Sequence, residues 1–287
     1  MAQPVANAGR RLQVSNIFWI TTVHMVSLVA FWYTSWAAVL LCVALHFIMN
    51  SAAVTLTYHR MLAHRGFKTP KWLEYFLATI GVLSGQGPIL IWVAEHRLHH
   101  RYSDTDKDPH NSLRGFFYAH IGHLFYHKDF EDDPKQWQKY VPDLLSQKYY
   151  RFLNSYNIPI ALMMLPLLYW AGGVSFVLWG GFVRVVLMLH TTWFINSACH
   201  LWGYRNFETR DRSTNCWWAA ILAAGEGWHN NHHAQPSCAA HGRKWWEFDQ
   251  TWLMICALEK LGLAWDIKKP SPLDQSISED LVLEPSS

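Results

Sequence analysis

Two stretches of the sequence are almost free of charge, and they frame everything between them. Residues 17–57 contain no Asp, Glu, Lys or Arg, a length that suits two helices at roughly 20 residues per bilayer crossing. The uncharged turn Tyr33-Thr34-Ser35-Trp36 divides them into expected spans of 17–35 and 37–57. A second pair runs from Tyr156 to Asn196 and divides at Gly172-Gly173 into 156–171 and 174–196, its first helix short and its second interrupted by Arg184. The first span does not read as a cleaved signal, because another follows almost at once with no small-residue cleavage site between them.

The segments around these spans are polar. Arg10 and Arg11 precede the first span, Arg60, Arg65 and Lys68 follow the second, and neither interhelix turn carries a charge. The positive-inside rule then places both termini, and the polar segments 58–155 and 197–270, on the cytosolic side. Within the first segment, Trp72 to Trp92 is apolar and contains Gly81, Gly85, Gly87 and Pro88. A fifth crossing there would put the histidines on either side of it on opposite faces of the membrane, so an interfacial or partly re-entrant helix is expected. The tail 271–287, rich in Ser, Pro and acids, is expected to be disordered. The pattern predicts an all-α, multi-pass membrane protein: a single domain over 1–270 with four transmembrane helices and a cytosolic helical cap.

Composition sharpens this picture in two places. Charged residues make up only 16% of the 287, while 17 are Trp and 17 are His, an excess of interface-favouring rings and metal-capable imidazoles. A formal charge of +3, with the basic residues scattered, argues against a nucleic-acid partner. The five cysteines, at 42, 199, 216, 238 and 256, form no CxxC pair. That speaks against a disulfide framework or thiolate zinc site and for a reducing compartment.

The histidines are clustered. His59-Arg-Met-Leu-Ala-His64, His96-Arg-Leu-His99-His100 and His229-Asn-Asn-His232-His233 hold eight of the 17. In the second and third clusters the i, i+3, i+4 spacing puts three rings on one helical face, whereas His59 and His64 would require the helix to end between them. One such cluster is often only a solvated basic face. Three on the same expected side of a four-span protein point to a shared site. Eight imidazoles exceed the needs of one tetrahedral zinc, and without cysteine ligands an iron–sulfur cluster is disfavoured, so two metals are the simpler inference. Imidazole nitrogen suits iron, zinc, copper or nickel, and spacing does not choose among them.

The segments TYHRMLAHRGF, EHRLHHRYSDTDKDPHNSLRGFFYAH, NSACHLWGYRNF and GEGWHNNHHAQP together resemble the integral-membrane fatty acid desaturases, specifically the delta-9 acyl desaturases, over about residues 15–265. The resemblance implies nine histidines on two iron ions: His59, His64, His96, His99, His100, His200, His229, His232 and His233. It also implies that Asn196 contacts one iron through water. Asn196 and His200, four apart at the end of the last span, share a helical face. By contrast His24, His46 and His190 are expected to be structural. His120, His123 and His127 resemble positions used for packing or for contacts behind the ligands, and His110 and His241 are expected as hydrogen-bonding partners.

Removing hydrogen from an unactivated methylene is beyond any side-chain acid or base, which assigns that step to a metal–oxygen oxidant. The resemblance implies dioxygen as co-substrate and a saturated fatty acyl chain as substrate, placed by a bent tunnel that Gln86, Trp92 and Thr192 would shape. Without the resemblance, Trp92 would read as an interfacial anchor and Thr192 as a helix residue bonding its own backbone. The chain has no haem, flavin or cysteine-cluster motif, so electrons are expected from a separate ferredoxin or cytochrome b5. Gly87 and Ala94 stand where animal acyl-CoA enzymes carry an asparagine and an arginine. GEGWHNNHHAQPSCAAHGRKWWEFD resembles the cyanobacterial branch, which leaves an acyl lipid and an acyl-CoA both open as substrate. The nearest rival is a membrane di-iron hydroxylase. A divalent-metal transporter or sensor is a poorer fit, since within the bilayer only His46 and His190 would line a path in the second and fourth spans.

Overall fold

In the computed structural model, residues 11–271 are described, and among them every regular element is a helix. Arg10 and residues 272–287, most of the expected disordered tail, lie outside the described residues. Helix α1, Val14–Val29, ends in a tight 3-10 turn, Ala30–Tyr33. Helix α2, Trp36–Met49, opens on Ser35, whose Oγ accepts the backbone N–H of Ala38 at 3.2 Å. That cap answers one of the donors a helix start leaves unpaired. Without a break α2 passes into π-helical turns over Asn50–Ala63. Helices α3, Lys71–Leu83, and α4, Ile89–Tyr102, follow, and then the short α5, Phe116–His120.

Three stretches are long and apolar enough to cross a membrane: Val14–Tyr33, Trp36–Ala63 and Asn157–His200. The third is not one rod. It comprises α6 (Asn157–Leu162), α7 (Met164–Phe176), π-helical turns over Val177–Val183 and α8 (Arg184–Ser197). At Gly173 the backbone takes φ +66° and ψ −155°, a conformation open mainly to glycine, and Gly172 beside it is also non-helical. Leu168 then comes so near Gly180 that a Cβ there would stand 3.1 Å from Leu168 Cδ2. In a straight helix these residues would be about 18 Å apart. The chain therefore doubles back, and three apolar stretches make four helical arms.

The two hairpin turns meet at one end of the bundle. Ser175 Oγ donates to the Tyr33 carbonyl at 2.7 Å and lies 3.2 Å from Ser35 Oγ. Around them Trp32, Trp36 and Trp170 project outward, as tryptophans do at a lipid–water boundary.

Ionisable groups inside the bundle find partners. Arg184 is buried and ion-pairs with no carboxylate among the described residues; its guanidinium donates to the carbonyls of Gly180 (2.8 Å), Ser84 (3.0 Å) and Leu83 (3.4 Å). It thus sits at the C-terminal end of α3, where exposed carbonyls and the helix dipole favour a cation. His24 and His190 pair with each other, Nε2 to Nε2 at 3.0 Å, and His190 Nδ1 lies 2.9 Å from His120 Nε2. His120 Nδ1 reaches Ser197 Oγ at 3.0 Å. His24 Nδ1 faces the Ile20 carbonyl, an acceptor only, and at the other end of the series the Ser197 hydroxyl donates to the Trp193 carbonyl at 2.7 Å.

The apolar segment Trp72–Trp92 is two elements. Helix α3 has 13 residues, about 20 Å, and the chain then turns through Gly85 (φ +84°) and Gly87 (φ +90°) into α4. The π-helical segment packs directly on α3, with the buried Tyr58 ring covering Gly81. A Cβ at Gly81 would lie 2.1 Å from Tyr58 Cε1. Gly81→Ala is therefore expected to displace Tyr58 and cost about 1–3 kcal/mol, read as a lower melting temperature of the detergent-solubilised protein; an unchanged melting temperature would deny the close contact.

Candidate metal centre

The first histidine pair depends on an unusual helix. Over Asn50–Ala63 the hydrogen bonds run from residue i+5 to residue i, and the series closes with His64 N–H donating to the His59 carbonyl at 3.1 Å. A spacing of five fits that winding. His59 and His64 come together because the helix widens, not because it ends between them as the spacing alone suggested. Arg60, fully buried, ties this segment to the cap: it donates to Glu226 Oε1 (3.1 Å), Asp249 Oδ2 (2.9 Å) and the Ala239 carbonyl (2.8 Å).

Helix α4 carries His96, His99 and His100. Arg97 between them donates to the carbonyls of Leu62 (2.6 Å) and Ala63 (3.1 Å) and, through two nitrogens, to Asp143 at 2.8 and 3.0 Å. One side chain thus holds α4 beside the π-helix end that bears His64. His200 closes a 3-10 turn, Ala198–His200, just past α8.

The last three rings lie on the short helix α10, His229–Ala234, which follows α9, Trp217–Leu222. Its two asparagines anchor it. Asn230 Oδ1 accepts the backbone N–H of Asn206 (2.8 Å) and of Phe207 (2.9 Å). Asn231 donates to Glu247 (2.8 Å) and the His241 carbonyl (2.9 Å) and accepts from Asn215 (2.9 Å). Gly227, two residues before His229, lets this segment press on α9: a Cβ there would stand 2.1 Å from the Ala220 nitrogen and 2.6 Å from the Cys216 carbonyl oxygen.

The nine histidines form two groups, His59, His64, His96, His100 and His232 in one and His99, His200, His229 and His233 in the other, with the ligand atoms of each group within 4.8 Å of one another. Each HxxHH segment is split. The i and i+4 rings go to one group and the i+3 ring to the other, α4 giving two to the first group and α10 two to the second. Nε2 atoms face Nε2 atoms at 2.6 Å (His64–His96), 2.8 Å (His100–His232), 3.0 Å (His59–His232), 3.1 Å (His200–His229) and 3.4 Å (His99–His233). Ligands about 2.0–2.1 Å from a shared ion stand roughly 3 Å apart.

Carboxylates behind the rings decide which nitrogen holds the proton. Nδ1 of His99 lies 3.0 Å from Asp108, that of His200 2.9 Å from Asp104, that of His233 2.6 Å from Asp211 and that of His59 2.5 Å from Glu226. A carboxylate accepts only, so these rings carry hydrogen on Nδ1 and turn a bare Nε2 inward. His99 and His233 then oppose lone pair to lone pair inside the protein, which only a cation between them relieves. The donor set fits a pair of metal ions.

The electrostatics agree. Burial, reinforced by the neighbouring rings, holds His64, His96, His100, His229 and His232 well below the ordinary imidazole range, and burial carries His233 down to about 4 against the pull of Asp211. Neutral rings are the ligating form. Burial pushes Glu226 upward, yet His59, His241 and Arg60 outweigh it and hold this carboxyl well below its usual range. His99 moves the other way, raised by Asp108 in spite of burial, so a metal there competes with a proton.

The remaining candidates fall around this core. Asn196 lines a cavity of about 50 Å³ with His59, His96, His99 and His229, and Trp92 and Thr192 share its wall. Thr192 also donates to the Met188 carbonyl of its own helix at 3.1 Å, and Trp92 stacks on His96. Gln86 is not on that wall; it lies in the turn between α3 and α4, its amide nitrogen buried without a partner. His241 stands against Glu226 at 3.2 Å and His110 against Asp108 at 3.5 Å, while His127 pairs with Asp132 at 2.8 Å. Sequence reasoning gave no role to Asp104, Asp108, Asp211 or Glu226, and read Arg60 only as a basic flank of the second span. The first four are spread over more than a hundred residues at no common spacing from their histidines, so no local pattern marks them.

With this geometry in view, the chain was compared with known proteins. A family model described as fatty acid desaturase matches residues 34–266. The chain is 47% identical over 260 residues to an sn-1 stearoyl-lipid 9-desaturase of Anabaena variabilis, covering 88% of this chain and 94% of that protein. It is 43% identical over 270 residues to an sn-2 palmitoyl-lipid 9-desaturase of Nostoc sp. (strain 36), covering 94% and 95%. A plant protein, the acyl-CoA C20 Delta5-desaturase of Anemone leveillei, is 45% identical over 260 residues, covering 91% and 83%.

Gly227 offers a test of how α10 is placed. Gly227→Ala is expected to push His229 and His232 out of register and lower the metal content of the purified protein at least tenfold, measured by elemental analysis, with helix content by circular dichroism retained. Full metal occupancy in this variant would count against the tight seat of α10 on α9.

Proposed function

The chain belongs to the fatty acid desaturase family, and on that premise we propose that it places a cis double bond, at the delta-9 position, in a saturated acyl chain carried on a membrane lipid. The observation that carries this reading is the double imidazole cluster, with its inward lone pairs set by four carboxylates. Two iron ions are the occupants that suit such a nitrogen-rich, thiolate-free set in this family, with Asn196 placed to reach one of them through water. When bound, with dioxygen and two electrons, they supply the oxidant that can take hydrogen from an unactivated methylene.

The protein's own residues bind, orient and exclude water. Asp104, Asp108, Asp211 and Glu226 keep four rings in the ligating tautomer. Trp92 and Thr192, on the cavity wall beside His59 and His96, are the residues that set which carbons come to rest there. At about 50 Å³ the cavity holds only a few methylenes, so a substrate chain enters by parting its lining. Two of the relatives above are named for lipid-borne acyl chains and delta-9 positions, which favours a lipid over coenzyme A as the carrier. The Anemone relative, named for acyl-CoA, keeps the alternative carrier in the test.

The four helical arms are read as four crossings, with the tryptophan-rimmed hairpin turns on the far side and the cap and both termini in the cytosol. There the cap can meet a soluble electron donor, a ferredoxin or cytochrome b5.

Expression in a host lacking its own delta-9 desaturase, followed by gas chromatography with double-bond location, tests the assignment. New delta-9 monoenes, in the membrane lipids, are expected from the wild type, and none from His99→Ala or His232→Ala, which should also lose iron. Saturated lipids alone from a well-expressed wild type, or full product from both variants, would reject it.

Regioselectivity can be separated from metal binding. Along a saturated chain every methylene has nearly the same reactivity, so position follows from which carbons are held at the site. Trp92→Ala and Thr192→Ala are expected to yield mixed double-bond positions or a several-fold slower reaction at normal iron content. A single position at the wild-type rate in both variants would return Trp92 to a packing role and Thr192 to its backbone bond.

A further inference from the structure

The two histidine groups differ in a way that bears on how each would hold its ion, and we propose that the four-histidine group is a tight metal site and the five-histidine group a labile one. The inference rests on the metal-centre reading above and goes beyond it.

Three of the four rings in the smaller group, His99, His200 and His233, have a carboxylate on Nδ1. Those carboxylates are held by hydrogen bonds and not by cations. Asp104 accepts the Arg212 backbone N–H (2.7 Å) and the Ser112 hydroxyl (2.5 Å), and Asp108 accepts the backbone N–H of Asp104 (2.8 Å) and of His110 (3.1 Å). Asp211 accepts from Ser213 N–H (3.0 Å) and from the hydroxyls of Ser213 (2.5 Å) and Thr209 (2.9 Å). Among the described residues no Lys or Arg side chain pairs with any of the three. Their charge is thus directed through the imidazoles toward the ion.

The larger group is built otherwise. Among the described residues only His59 of this group has a carboxylate behind it, and that carboxylate, Glu226, is shared with the guanidinium of buried Arg60 at 3.0 Å and with His241. Nδ1 of His232, like that of His229 in the smaller group, is buried without a hydrogen-bond partner, and among the described residues no carboxylate pairs with His64, His96 or His100.

A partner behind a ligating histidine is worth about 10–100-fold in metal affinity. Three such partners against one that is already paired favour the smaller group by at least about 100-fold. The fifth imidazole of the larger group adds a neutral donor but no negative charge. The ion held by His99, His200, His229 and His233 therefore binds first and leaves last.

Cobalt(II), added to full-length protein stripped with a chelator, is the probe, and its visible absorption the readout, with no turnover required. Two binding steps at least about 100-fold apart are expected. His100→Ala should weaken the weaker step further and leave the tighter one unchanged, while Asp108→Asn should weaken the tighter step about 10–100-fold and leave the weaker one in place. A single two-ion step, or a tighter step lost in His100→Ala and kept in Asp108→Asn, overturns the proposal. The wild type and His100→Ala decide it even where Asp108→Asn fails to fold. Wild-type protein that binds no cobalt, and no zinc or iron(II) in its place, removes the metal-centre reading itself.

Discussion

The Nε2 atoms of His99 and His233, each left bare by the carboxylate behind its ring, are tolerable face to face only when something positive stands between them, and the rest of the site is arranged around that constraint. Buried lone pairs facing lone pairs leave acceptors without donors, a costly arrangement in a low-dielectric interior. The carboxylates behind His59, His99, His200 and His233 bar escape by tautomer exchange, because each requires its hydrogen on Nδ1. What looks like an accumulation of basic residues is electrostatically an anionic cradle. The acids keep their charge in spite of burial, since His200, His99 and His233 beside the three aspartates, and His59, His241 and Arg60 beside Glu226, outweigh the loss of water around them.

The helical bundle is the platform that makes this cradle possible. Its two hairpin turns are joined at one end through Ser35, Ser175 and Tyr33, and the chain leaves the bundle toward the histidines at the other. Two arms continue straight into the candidate site: the π-helical extension of α2 into His59 and His64, and α8 into Asn196 and His200. Side chains on the ends of long packed helices move little, which is what a site needing sub-ångström placement requires. Polar groups inside the bundle follow the same economy. Arg184 closes the carbonyl end of α3, and His24, His190, His120 and Ser197 stand in one hydrogen-bonded series that ties α1 and α5 to α8.

Much of the chain's identity was legible without coordinates. The uncharged runs, the breaks at Thr34–Ser35 and Gly172–Gly173 and the three histidine segments all lie in local sequence, where period and composition act over a few residues. Length and hydropathy, however, pick out three stretches, not four, because the second pair is joined by helical residues on both sides of its glycines. Only the backbone at Gly173, and the return of Leu168 onto Gly180, separate its arms. Trp72–Trp92, one apolar run in sequence, became two helices once Gly85 and Gly87 took positive φ. The five-residue gap between His59 and His64 was the clearest misreading: an α-helical ruler demands a helix end there, and the chain used a π-helix instead.

By itself the sequence determined the family, the helical membrane architecture and the residue types that would meet, because these follow from local periodicity and from motifs whose order and flanks are distinctive. The tertiary structure decided how the nine rings divide. On a helix the i and i+4 side chains lie close to one line and i+3 falls to the other side of it, so α4 and α10, facing each other, send two and one rings to opposite groups. It also decided which acids stand behind which rings. Asp104 reaches His200 across 96 positions and Glu226 reaches His59 across 167, and contacts of that kind come from packing the cap onto the helix ends, not from any pattern along the chain.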